Sequence, residues 1–133
     1  MIKGLGADQP YWDALSAGQL KLPRCSSCEK WSWPAPFRCG ACGSTSFDWS
    51  AVEMTGLIYT WTRVSHPFAG MEDMKMPFVP VLVELPQAGG IRLLGILDND
   101  APNPIIGASV SGHIGKTTSL GREVPALRWT MTS

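Results

Sequence analysis

The sequence predicts a mainly β protein: a short amino-terminal helix, then a small four-cysteine ribbon, then a five-stranded barrel. Three observations predict it. All four cysteines fall in two Cys-x-x-Cys pairs, Cys25/Cys28 and Cys39/Cys42. Glycine and proline, 14 and 11 of 133 residues, break up long helices and suit short strands joined by turns. From Thr55 onward, apolar residues recur at period two in short runs separated by turn residues.

The helix is expected over 8–17. Asp8 stands at its start, Pro10 in its first turn, and Tyr11, Trp12 and Leu15 supply an apolar face that covers a core or docks on another subunit. Gly18 ends it. Leu20–Arg24 then runs extended into the first cysteine pair.

Two residues between cysteines let both sulfurs and the intervening amides turn toward one cation, and two such turns make a tetrahedral S4 site. Gly43 follows the second pair, where a left-handed residue is wanted; Glu29 follows the first, so that turn carries mild strain. Four thiolates without histidine fit zinc best and a single iron second. Two disulfides or free thiols are the weaker alternative, because the start shows no apolar run of signal-peptide length. Four cysteines close the coordination shell, which marks a structural site rather than a catalytic one.

Between the pairs, Trp31, Trp33 and Phe37 crowd a ribbon too small to bury them all, so cover comes from the rest of the chain or from a partner. Over 21–42 the charges are Lys21, Arg24, Lys30 and Arg38 against Glu29, a local excess that suits a phosphate-bearing ligand or an acidic patch.

The strands are expected at 55–64, 78–85, 91–97, 109–114 and 125–130. Gln87–Gly90 turns the second into the third, and 116–123 forms a polar hairpin loop. Pro80 places the second strand at an edge or marks its start. Between the first two strands lies a loop with Phe68, Met71, Met74 and Met76, apolar but adaptable. Five short strands with a long first loop suggest a Greek-key barrel of the OB type. The division is 1–20 helix, 21–48 ribbon and 49–133 barrel domain.

Little in the chain suggests catalysis. His66 precedes Pro67 at a loop start, and His113 alternates within a strand, a core or sheet-face position. Neither a phosphate-binding nor a dinucleotide-binding glycine loop is present. Eleven basic and eleven acidic residues give zero formal charge, which argues against a nucleic-acid partner. No run approaches a membrane span, and the expected location is the cytoplasm.

The order of helix, basic extended arm, cysteine pairs and strands resembles the DUF35 family. The residues that carry the resemblance are Tyr11–Leu15 with Gly18 and Leu20; Leu22–Cys25 and Cys28; Arg38–Cys39 and Cys42–Gly43; Thr55–Gly56 with Tyr59–Thr62; Pro77–Phe78 with Val83–Leu85; and Ile106–Gly107 before Val110. The resemblance implies a rubredoxin-like zinc ribbon, an acyl-CoA-associated OB fold, and a non-catalytic accessory subunit in a hetro-oligomer with a thiolase-like or lipid-transfer-protein-like enzyme. That enzyme would be a thiolase, an acyltransferase or a steroid side-chain aldolase. On this reading Cys25, Cys28, Cys39 and Cys42 hold the metal. Tyr11, Trp12, Arg24, Trp31, Trp33, Phe37, Arg38, Phe68 and Met74 are candidates to meet the partner or coenzyme A. The rival readings are a single-stranded nucleic-acid module, since tryptophans on an OB barrel can stack bases, and a rubredoxin-like electron carrier.

Overall fold

The computed structural model describes residues 7–66, 77–98, 104–119 and 122–132. Its elements are the helix α1 (Gln9–Ser16) and seven strands: β1 (Lys21–Cys25), β2 (Phe47–Ala51), β3 (Thr55–Trp61), β4 (Val79–Leu85), β5 (Ile91–Leu97), β6 (Ser109–Ser119) and β7 (Arg122–Met131). The chain divides into two compact units, Met1–Glu53 with Leu85–Ile91, and Met54–Glu84 with Arg92–Ser133.

In the first unit α1 packs on β1, burying Tyr11, Ala14 and Leu15 at the spacing of one helix face. The helix stops in a Schellman turn: Gly18 is left-handed (φ 84°), its N–H donates to Leu15 O, and the Gln19 N–H donates to Ala14 O. Asp8 stands at the helix start, as expected, without a side-chain cap; its Oδ2 instead accepts a hydrogen bond from Trp12 Nε1 at 3.1 Å. β1 and β2 form a two-stranded antiparallel sheet with Pro23 opposite Trp49. Leu20, Leu22, Leu85 and Ala88 complete this core.

The second unit is a closed five-stranded barrel in the order β3-β4-β5-β7-β6. All neighbouring pairs with a recorded register are antiparallel except β5 and β7, which run parallel at Ile96/Arg128 and Leu97/Trp129. This is the OB arrangement, and Ile58, Val81, Val83, Leu93, Val110, Leu127 and Trp129 fill it. The Trp129 indole, fully buried, is seated by two residues that have no side chain. A Cβ built on Gly95 would lie 2.6 Å from Trp129 Cδ1, and one built on Gly112 would lie 2.9 Å from Cζ3.

Two strand expectations needed correction, and a third, for Pro80, is resolved between its alternatives. β3 ends at Trp61, with Val64 making only an isolated bridge to Phe78, and a bulge between Ile58 and Thr60 interrupts the simple alternation read across Tyr59. The stretch read as a polar loop over 116–123 is ladder: β6 and β7 pair as far as Ser119/Arg122. The described polar side chains there include Lys116 and Glu123, an exposed ion pair at 3.8 Å across the ladder. Pro80 occupies the second position of a barrel strand, the start rather than an edge.

Candidate metal centre

The two cysteine pairs make the same turn twice. In the first, the Glu29 N–H donates to Cys25 O (2.9 Å) and the Cys25 N–H donates to Lys30 O (2.9 Å). In the second, the Gly43 N–H donates to Cys39 O (2.9 Å) and the Cys39 N–H donates to Ser44 O (2.8 Å). Each turn closes on a left-handed residue, Glu29 at φ 66° and Gly43 at φ 79°. Glycine takes that conformation freely, whereas a side chain there costs about 1 kcal/mol.

The turns bring four Sγ atoms together, all within 4.8 Å of one another. Cys25 and Cys42 are 3.5 Å apart, and Cys28 and Cys39 are 3.6 Å apart. A tetrahedral zinc with Zn–S bonds of about 2.3 Å has edges of about 3.8 Å, so the residues present fit that ion. The first cysteine of each pair is buried and the second exposed, which embeds one side of the site in the ribbon and leaves the other near solvent.

The electrostatics favour a cation. The amide N–H of Cys28, joined by that of Ser27 and by the neighbouring thiols, draws Cys25 down to about 6 against the effect of burial. The amides of Cys42 and Ala41 likewise lower Cys39. Cys42 feels a downward pull from the Ser44 amide, but Cys25 beside it, burial and the other two sulfurs push it up to about 11. Amides stabilise some of the thiolates, and mutual repulsion prevents all four from ionising without a positive ion among them. Four protein ligands leave no coordination position for a substrate, so a metal held here braces the ribbon.

The aromatic candidates divide by exposure. Tyr11 is only 7% exposed, and its ring lies 4.6 Å from that of Trp33 and 5.1 Å from that of Trp12. It is part of the ribbon's core, and burial pushes its phenol up to about 12. Trp12, Trp31 and Trp33 are half-buried, whereas Phe37 is 73% exposed. The Arg24 guanidinium lies 5.5 Å from the centre of the Trp31 ring while its Nε donates to Glu29 O at 2.9 Å, so Arg24 is tied to the first cysteine turn. Arg38 is exposed beside Phe37. Phe68 and Met74 lie outside the described residues.

The sequence reading missed an exposed apolar set on the barrel: Leu94, Ile105 and Ile106, each about two-thirds exposed, and Tyr59, under the Arg92 guanidinium at 3.8 Å. The signal was present in Ile91–Leu97, where apolar residues occupy both alternating positions although a barrel wall buries one. His113 sits on a sheet face as expected, its Nε2 3.1 Å from Asp98 Oδ2, while Asp98 Oδ1 accepts from Arg128 Nε at 2.6 Å. The carboxylate thus joins the end of β5 to the cross-strand pair of β6 and β7.

No helix among the described residues is long and apolar enough to cross a membrane. Two family models match the chain: the rubredoxin-like zinc ribbon domain of ChsH2 over 12–48, and the C-terminal OB-fold domain of ChsH2 over 49–114. A probable enoyl-CoA hydratase alpha subunit from Thermomonospora curvata is 35% identical over 104 residues, 76% of this chain and 31% of that protein. The chain thus spans about a third of the length of that curated relative. Among solved structures, one described as the Ltp2-ChsH2(DUF35) aldolase superposes over 100% of both chains with a TM-score of 0.83 at 25% identity. A DUF35-family protein of unknown function from Sulfolobus solfataricus shares the fold, with a TM-score of 0.61 at 16% identity over 96% of this chain and 86% of that one. Cysteine turns, aromatic ribbon and five-stranded barrel agree with these matches, and the chain belongs to the ChsH2-type DUF35 family, in which a rubredoxin-like zinc ribbon is joined to an OB fold.

Proposed function

We propose that this protein is a non-catalytic subunit that assembles with a thiolase-superfamily enzyme acting on acyl-CoA thioesters. The observation that carries the reading is the full-length likeness to the chain from the Ltp2-ChsH2(DUF35) aldolase, 100% of both chains at 25% identity. The relative named for enoyl-CoA hydration supports the same thioester setting and favours a second reading, in which the partner is a hydratase.

The parts divide accordingly. Residues 1–20 supply the covering helix, 21–48 the ribbon, and 49–133 the OB-fold domain. Cys25, Cys28, Cys39 and Cys42 hold zinc, whose contribution is to fix the ribbon's shape. Trp12, Trp31, Trp33, Phe37 and Arg38 border the partner, with Arg38 and the surrounding basic residues placed to answer coenzyme A phosphates at the shared boundary. The large subunit holds the reacting groups.

The test is co-expression with a thiolase-like enzyme of the same organism, followed by size-exclusion chromatography and an assay of that enzyme. A co-eluting hetero-oligomer whose rate depends on this subunit is expected. Two independent species with an unchanged enzyme rate would sink the proposal.

A further inference from the structure

We propose that the outer edge of β2 takes up an extended segment of the partner enzyme as an added strand. This deepens the accessory-subunit reading and rests on it. The argument begins with a proline. Pro23 has no N–H, and it stands opposite Trp49, so that pair exchanges no hydrogen bonds and the neighbouring pairs Leu22/Ser50 and Arg24/Asp48 do. The flanking bonds keep the same parity: the Val52 N–H donates to Leu20 O, and the Ser26 N–H to Ser46 O.

Consequently the main-chain N–H and C=O groups of Phe47, Trp49 and Ala51 point away from β1. Among the described residues none of them forms a hydrogen bond. Two of the three outward positions of β1 are already engaged, since the Cys25 N–H reaches Lys30 O, Cys25 O accepts from the Glu29 N–H, and Pro23 O accepts from the Ser32 N–H. Of the ribbon's two edges, that of β1 is closed by its own turn over Pro23–Cys25, whereas that of β2 is unbonded among the described residues.

A groove of mixed lining, with Thr45 beside its apolar walls, lies alongside Phe47 and Trp49 of this strand. It measures ≈ 220 Å³ and is walled by Pro23, Pro36, Phe37, Phe47 and Trp49. A second groove of ≈ 160 Å³, walled by Trp33, Pro34 and Ala35, shares Phe37 with it. Open backbone groups beside pockets for alternate side chains are the two requirements of strand addition, the backbone providing affinity and the pockets specificity. Exposed Arg38 follows Phe37, and Lys21 lies at the end of β1 opposite Ala51, so the fitting segment places apolar side chains at alternate positions and carries an acidic residue.

Hydrogen exchange of the full chain, zinc-loaded, alone and with the co-expressed thiolase-like enzyme, tests this by its alternation. The amides of Phe47, Trp49 and Ala51 should slow about tenfold or more in the complex, while those of Asp48 and Ser50, already bonded to β1, should change little. Ala51→Pro removes one outward donor without touching the β1 ladder, and Phe37→Ala removes an exposed groove wall. Each should weaken the complex about tenfold with metal content and circular dichroism unchanged. A complex in which the three amides exchange as fast as in the free chain overturns the added strand and leaves the accessory reading standing. Absence of any complex overturns both. Concentration-dependent protection of the isolated chain assigns the edge to a second copy and overturns the choice of partner.

Discussion

Replacing Gly95 by alanine should unfold the barrel more readily than any exposed substitution, because the added methyl has nowhere to go. Its Cβ would lie 2.6 Å from both Cδ1 and Nε1 of Trp129 and 2.8 Å from the Leu127 carbonyl oxygen. Comfortable contacts to carbon are about 3.5–4.0 Å, so neighbours must retreat by about 1 Å. One of them is main chain, which cannot rotate aside. The other is an indole at 0% exposure, held on its far side by Gly112, where a Cβ would already be 2.9 Å from the ring. Overpacking of this kind costs about 1–3 kcal/mol or more, against a gain of about 0.5–1 kcal/mol for leaving glycine out of a strand. A net loss of about 2 kcal/mol corresponds to a fall in Tm of roughly 6–10 °C for a chain of this size. The assay is thermal and urea unfolding of the zinc-loaded protein, followed by tryptophan fluorescence. Gly40→Ala is the control, since no atom lies within 4 Å of its Cβ position, and it should change stability by less than about 0.5 kcal/mol. The double variant Gly95→Ala/Trp129→Leu should lose less than the sum of the two singles, because the clash disappears with the ring. Equal stability of Gly95→Ala and Gly40→Ala would refute the reasoning.

Four other outcomes are expected. Glu29→Gly should raise the urea midpoint, since it releases a left-handed side chain costing about 1 kcal/mol, while the Arg24 contact it removes, exposed and 3.8 Å long, is worth at most about 0.5 kcal/mol. Gly43→Ala, at the matching position, should lower the unfolding free energy by about 1 kcal/mol. Cys39→Ser should lower bound zinc per chain and loosen the ribbon, as read by elemental analysis and amide exchange, and the wild-type protein should be colourless, whereas an oxidised iron–tetrathiolate site is red. Tyr11, pushed up to about 12 by burial, makes stability depend on alkaline pH: its folded value lies above the unfolded value, so its contribution is intact below about pH 10 and is lost as pH rises toward 12. The loss amounts to about 2–3 kcal/mol, and Tyr11→Phe should flatten that part of a stability–pH profile.

The ribbon and the barrel were legible in the sequence for different reasons. Cys-x-x-Cys spacing is a local constraint, because two residues between thiolates leave only a narrow set of turns, and Glu29 and Gly43 betray the residue that must turn left-handed. Period-two runs such as Ile91–Leu97 likewise announce strands from their own residues. What was not legible depends on residues far apart. The bulge at Tyr59 follows from the register of β3 on β4, and the long β6–β7 ladder was mistaken for a loop because solvated strands and loops share a polar composition. The burial of Tyr11 is also tertiary, since helix periodicity identifies an apolar face without saying that Trp33 will cover it.

The same distinction explains why the metal ligands and the interface residues differ in how well they could be read. The two Cys-x-x-Cys turns bring four sulfurs together by local geometry alone, and the neighbouring Cys25 sulfur together with burial pushes Cys42 up, an arrangement that a cation among them relieves. An interface has no such internal demand. Phe37 and Trp33 are neighbours on the chain and both aromatic, yet one stands 73% exposed while the other packs on Tyr11. The position of Pro23 is more informative than either ring. Because it has no N–H, it fixes which backbone groups of β2 face inward, and with them the alternate set that faces out. A partner that docked only on the aromatic side chains would be indifferent to Ala51→Pro, whereas one that adds a strand would not.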